Sequence, residues 1–286
     1  MNPVLNAEDQ LRAGDPVQAL KLLQERVRAK PSDAKLRVFL FQLLCVLGQW
    51  ARALTQLNVA AELDASALAM AQMYRDAISC ELLRAEVFGG RKVPMVFGQP
   101  DSWLALLIEA MLHEGRGETS EGKSLREQAF EQAPASAGSL ITATQPSAET
   151  GIRFEWLADA DMRLGPVLEA VINGRYYWVP FARLSLIQID PPQDLRDAVW
   201  MPVHLRFSNG GESVALVPTR YAGSEASGDG LVVLSRKTVW QELSPEVFCG
   251  LGQRVLTSDA GDFPLMDLRS IVFDSCETEL VDAATG

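Results

Sequence analysis

Leu36, Phe39, Leu40, Leu43, Leu44 and Leu47 fall mostly three or four positions apart, the interval that aligns side chains on one face of a helix. Ser32-Asp33 offers a cap before this run, and Gly48 a stop after it. The same reasoning predicts two helices between residue 4 and about residue 30, bent at Gly14. Asp15-Pro16 supplies the cap and first-turn proline of the second, and Pro31 ends it. Further helices are expected over Trp50–Leu63, over 66–88 up to Phe88-Gly89-Gly90, and over Trp103–His113. A loop with Pro94, Gly98 and Pro100 separates the last two.

The pattern also repeats. Gly14 is followed by Ala19-Leu20 and Leu23, and Gly48 by Ala53-Leu54 and Leu57. Glycine to glycine is 48 − 14 = 34 residues, the period of a tetratricopeptide helical hairpin. Leu82 stands where a third copy would place its glycine, so the helix over 66–88 reads as uninterrupted. A worn hairpin returns with Gly117-Glu118, Gly122, Ala129 and Pro134. Phe41 occupies a position that usually holds a small residue between paired helices. Stacked hairpins make concave binding surfaces; a plain hairpin bundle without a groove fits the same pattern.

The period changes after Pro134. The stretch Pro134–Gly151, rich in Ala, Ser, Thr and Pro, reads as a linker. Asn173-Gly174 lies between Val171-Ile172 and Tyr176–Val179, and Asn209-Gly210-Gly211 between Val203–Phe207 and Val214–Val217; both are hairpin signals. Leu231–Leu234, Thr238–Trp240, Arg254–Thr257 and Leu265–Leu268 are further strand candidates, with a turn at Asp259–Asp262. Short helices are expected at Gly165–Val171 and Asp194–Val199. The expected fold is α+β. Tetratricopeptide-like hairpins over 1–136 and a linker over 137–151 precede a small, mostly antiparallel domain over 152–286, barrel-like or a bent sheet.

Composition removes several functions. A net charge of −11 over 286 residues lacks the basic footprint of nucleic-acid binding and disfavours an anionic membrane surface. No signal peptide and no membrane-spanning run is visible, so a cytoplasmic location is expected. Cys45 and Cys80 fall on apolar helical faces and read as buried free thiols; Cys249 and Cys276 also lack a C-x-x-C partner. The two histidines, His113 and His204, lie in different halves, which argues against a zinc site. His113 suits the last turn of a helix and His204 the polar face of a strand.

Asp159–Gly165 resembles a calcium loop but places Arg163 and Leu164 where a ligand and a glycine are needed. Gly250-Leu251-Gly252 is too short for a phosphate cradle, and Gly223–Gly230 is acidic. No serine lies in G-x-S-x-G. Hence no catalytic residue, metal ligand or cofactor is assigned. A small-molecule or nucleotide hydrolase in the β-rich half, using carboxylates such as Asp159/Asp161 or Glu155/Glu169, is the alternative to a binding protein.

Arg175-Tyr176-Tyr177-Trp178-Val179-Pro180-Phe181 puts Tyr176 and Trp178 on one strand face and Tyr177 on the other. Either both faces are covered within the protein, or one awaits a partner. This block resembles the ImpE/SciE family, also called TagJ. So do Phe154–Glu169, Pro191–Trp200, Pro218–Glu225, Gly250–Arg254 and, in the helical half, Arg84–Arg91 and Trp103-Leu104. The resemblance implies a cytoplasmic, non-enzymatic accessory protein of the bacterial type VI secretion system. It also implies a partner, the N-terminal helical segment of the small contractile-sheath subunit (TssB/VipA), and through it a link to the sheath cycle that the ClpV ATPase resets. An amphipathic helix suits a repeat scaffold. Two candidate docking surfaces follow: a helical groove around Phe39, Phe41 and Trp50, and a β-domain patch around Arg175, Tyr177, Trp178, Trp200, Arg220 and Tyr221.

Overall fold

In a computed structural model, residues 6–145 and 151–274 are described, and they form eight α-helices and fourteen β-strands. The helices open as capped hairpins. Asn6, Asp15 and Asp33 each accept a hydrogen bond from the backbone N–H three residues on, which starts α1 (Ala7–Arg12), α2 (Pro16–Ala29) and α3 (Ala34–Val46). α4 spans Trp50–Leu63. Gly14 (φ +83°) and Gly48 (φ +66°) turn the chain between α1 and α2 and between α3 and α4, in a conformation that L side chains avoid. The 34-residue interval is therefore a repeated left-handed turn.

α5 runs unbroken over Leu68–Phe88, with Leu82 exposed on it. α6 (Ser102–Gly115) and α7 (Thr119–Gln132) form a third hairpin at Gly117. Phe41 is accommodated against Tyr74 of α5, ring centroids 5.7 Å apart, and is fully buried. Among the described residues no helix is long and apolar enough to cross a membrane.

Nine strands make one open sheet. Its order is β1 (Met95–Val96), β6 (Arg175–Pro180), β5 (Val167–Ile172), β9 (Glu212–Pro218), β8 (Trp200–Phe207), β7 (Leu184–Ile189), β14 (Leu268–Phe273), β2 (Gly138–Thr142), β3 (Ile152–Phe154). All neighbours are antiparallel except β1 and β6. The sheet is open and does not close into a barrel; β1 and β3 are its edges. A three-stranded ribbon, β13 (Gly261–Pro264), β12 (Val255–Ser258), β4 (Leu157–Asp159), and a two-stranded one, β10 (Thr238–Ser244) and β11 (Val247–Gly252), complete the half.

Four expectations change. Gly165–Val171 is not a helix: Val167–Ile172 is a strand buried on both faces, and a short apolar run of this kind carries no decisive period. Leu231–Leu234 is not a strand: Asp229 caps Leu231 and starts a one-turn helix, α8 (Gly230–Val233). Leu265–Asp267 is a 3-10 turn that leads into β14. The segment read as linker contributes β2, which pairs with β14 and β3. With β1 lent by the helical half, the two halves are interleaved.

The sheet has a core on each face. Val167, Val171, Tyr176, Trp178, Trp200 and Leu216 pack on the helices. Leu168, Ala170, Ile172, Val179, Met201 and Val203 face a second cluster with Phe154, Phe181 and Phe273. This alternation is the two-residue strand period. Trp200 is fully buried, 5.5 Å from Tyr74 and 5.9 Å from Trp50 between ring centroids. Trp200→Ala should cost about 3–5 kcal/mol, read from urea unfolding. Because these contacts join the two halves, circular dichroism and tryptophan fluorescence should report one coincident transition in the parent protein; two separated transitions would contradict the shared core.

Candidate functional site

β5 explains the most consequential side chain. Val167 and Val171 face the helices, so Glu169 between them must face the helices too, and it is completely buried. A carboxylate there requires partners. Arg84 of α5 donates to it from Nε (2.6 Å) and Nη2 (2.9 Å). Arg254, just before β12, and the Tyr176 hydroxyl donate to it as well. Trp178 Nε1 donates to the Tyr176 oxygen at 2.8 Å. Burial alone would raise the Glu169 carboxyl, but Arg84 and Arg254 outweigh it and hold it at about 2.

Arg254 is shared. Its other terminal nitrogen binds Asp159 at the end of β4, and its Nε donates to the Pro218 carbonyl at 2.9 Å. Burial pushes Asp159 up to about 7; Arg254 opposes the rise and the neighbouring Asp161 adds to it. Asp161 is held by Arg163 at 2.6 Å and by the Gly250 N–H at 3.0 Å. Glu81 of α5 receives Arg84 Nη1 (3.4 Å) and the Trp200 indole N–H (3.0 Å). Each of these four buried or nearly buried acids thus has an arginine partner. Among the described residues no His, Cys, Asp and Glu group suits a metal ion.

Arg220 has a different task. Its guanidinium donates to the carbonyls of Val46 (2.6 Å), Cys45 (3.1 Å) and Val233 (2.7 Å). Cys45 and Val46 end α3, where unsatisfied carbonyls and the helix dipole favour a cation. Arg236 does the same for α1, donating to Leu11 (2.7 Å) and Arg12 (3.3 Å). The capped positions are one repeat apart: 11 + 34 = 45 and 12 + 34 = 46. The acidic Gly/Ser segment between these arginines also lies on the hairpin turns. A side chain at Gly48 would strike Glu225, and one at Gly230 would strike the Gly14 carbonyl.

The nine candidate docking residues are therefore scattered. Phe41, Trp178, Trp200, Arg220 and Tyr221 are buried, so no partner reaches them in this conformation. Phe39 and Trp50 are half-buried against the helical core. Tyr177 is half-buried on the opposite sheet face, 5.9 Å from the Phe97 ring. Tyr221 lies under Trp240 of β10, 5.7 Å between rings. Arg175, at the β5–β6 turn, is exposed. The helical candidates and the β candidates do meet, but inside the protein, at the Trp50–Trp200–Tyr74 contact. Reading the sequence missed Glu169, Arg84 and Arg254 as a unit. The available signal was a lone carboxylate inside the apolar run Val167–Ile172.

Two of the depressions among the described residues are mainly apolar and open. A groove of about 510 Å³ lies between α5 and the sheet, lined by Met73, Asp76, Gly174, Pro202, Val214 and Leu216 among others. A cleft of about 360 Å³ lies between α7 and β4, lined by Phe130, Pro134, Ser136, Trp156, Leu157 and Met162 among others.

Both halves can be matched to known proteins. The family model described as ImpE protein covers residues 151–272. A protein from Pseudomonas aeruginosa, named type VI secretion system accessory component TagJ, is 50% identical over 268 residues, which is 94% of this chain and 91% of that protein. The chain belongs to the ImpE family. The X-ray structure of protein VPA1032 from Vibrio parahaemolyticus is similar too, at 26% identity and TM-score 0.81, over 94% of this chain and 97% of that one. The helical half of this ImpE-family chain is thus matched along with the sheet.

The buried network yields two tests. Removing one partner of a buried pair strands the others, so Glu169→Gln should lower stability by about 3–5 kcal/mol in chemical denaturation. Asp159 titrates at about 7 folded against 3.8 in the reference state, so its stabilising contribution is full below 3.8 and is lost as pH rises towards 7. Asp159→Asn cannot ionise, so its Tm relative to the parent should climb between pH 4 and pH 7. A constant difference across that range would contradict the assignment.

Proposed function

We propose that this chain is a non-enzymatic accessory protein of a type VI secretion system. It binds the N-terminal helical segment of the small contractile-sheath subunit (TssB/VipA) in the cytoplasm, and through it acts on the sheath's assembly and disassembly. The observation that carries the reading is the 50% identity with the Pseudomonas aeruginosa accessory component, which extends through both halves.

The surface that best fits a helix is the groove along α5. Met73 and Val214 on its walls are 41% and 65% exposed, enough to give up apolar area to a partner. Arg175 follows Gly174 at the groove's edge and can hydrogen-bond a polar group on the arriving helix. Apolar anchors spaced three and four residues apart on a partner helix would lie along it. The non-enzymatic part is supported by the arginine pairing of Asp159, Asp161 and Glu169, which commits these carboxylates to structure.

A synthetic peptide of the sheath subunit's N-terminal segment should bind in isothermal titration calorimetry. Met73→Glu combined with Val214→Glu should weaken it at least about tenfold, equivalent to roughly 1.4 kcal/mol, while leaving the thermal melt of these exposed positions unchanged. No heat at high-micromolar peptide would overturn the partner; unchanged affinity in the double variant would overturn the groove.

A further inference from the structure

The cleft between α7 and β4 shares no lining residue with the groove along α5. Its walls are apolar, with Phe130 and Met162 half-buried and Pro134 and Trp156, the latter 41% exposed, at the mouth. Gly165, at φ +53°, makes room for the Phe130 ring, because a Cβ there would come within 2.4 Å of it. Ser136 also lines the cleft, is 8% exposed, and its buried hydroxyl has no hydrogen-bond partner among the described residues. Such a hydroxyl ordinarily finds a partner. β4 is an edge strand of its ribbon, and its Asp159 N–H is closed off by the Gly165 carbonyl at 2.6 Å, so the cleft offers side chains more than backbone.

Charge decides what suits this cleft. Glu131 follows Phe130 on α7, and Glu155 precedes Trp156; both are exposed. The Asp259 carboxylate accepts the backbone N–H groups of Glu155 (2.8 Å) and Trp156 (3.4 Å), so it too stands at the mouth. The cations of the surrounding elements are engaged. Lys123 lies between Glu127 and Glu246, Arg126 is paired with Glu114, and Arg163 is paired with Asp161.

We infer that this cleft is a second docking site, for a short partner peptide with an apolar anchor residue flanked by Lys or Arg. The anchor seats against Phe130, Trp156 and Met162, and the basic flanks meet Glu131, Glu155 and Asp259. With the groove elsewhere on the molecule, the chain can hold two partners at once, which is what an adaptor requires. The inference does not depend on which protein fills the groove.

The test uses the full chain and fluorescein-labelled 12-residue synthetic peptides with a central Leu or Trp between lysines, read by fluorescence anisotropy. Control peptides carry glutamates in place of the lysines. The lysine peptides should bind in the micromolar range and weaken as salt rises, and the glutamate peptides should not bind. Ala135→Trp, at an exposed lining position, should fill the cleft and weaken binding at least about tenfold. Glu131→Lys with Glu155→Lys should weaken the lysine peptides and admit the glutamate ones. Met73→Glu should change nothing. Absence of binding to 1 mM peptide, equal binding of both peptide sets, or unchanged affinity in Ala135→Trp would each overturn the inference.

Discussion

A carboxylate buried between two arginines joins the halves of this molecule. Glu169 sits on the sheet, Arg84 on the longest helix and Arg254 before the small ribbon, so three structural layers meet at one pair of oxygens. Charges of this kind gain little net stability over well-packed apolar groups, but each becomes costly when a partner is removed. The consequence is geometric: α5 cannot slide on the sheet without stranding an ion. Trp200 and Tyr176, which donate to the acids on either side, extend the same constraint into the aromatic core.

The helices were largely legible in the sequence because their signals are local. Asp15-Pro16, Asp33 and the two turn glycines act within a few residues, and α4 begins and ends at Trp50 and Leu63 as expected. The Asn-Gly and Asn-Gly-Gly hairpins were legible for the same reason. β2, β1 and β14 were not, since their pairing depends on residues far away in the chain. Val167–Ile172 was misread because a fully buried strand shows no alternation of apolar and polar residues. The open sheet rather than a barrel was one of two stated forms, and only the strand order separates them.

The candidate surface was legible in part. Aromatic and arginine residues stood out as unusual, but sequence does not say whether an aromatic finds its partner inside or outside the chain. Trp178, Trp200 and Tyr221 find theirs inside, and Arg220 gives its donors to helix-end carbonyls. Met73, Val214 and Trp156 are among the residues that keep apolar surface exposed, and the helix, hairpin and block patterns that hold them do not mark them as open. An exposed patch is a property of assembled neighbours, which no local pattern encodes.

Arg220 and Arg236 touch helix ends that are one repeat apart, while standing only 236 − 220 = 16 residues from each other in the sheet-bearing half. They act as a two-point gauge for the helical array. A further hairpin inserted between α2 and α3 would carry the second set of carbonyls away from its arginine, so the array cannot lengthen there without rebuilding the β half. Beyond α4 a different tie takes over, the hold of Arg84 on Glu169. That is where the glycine spacing stops and α5 runs straight through: the two arginines gauge the first two hairpins, and the buried carboxylate sets the helix that follows.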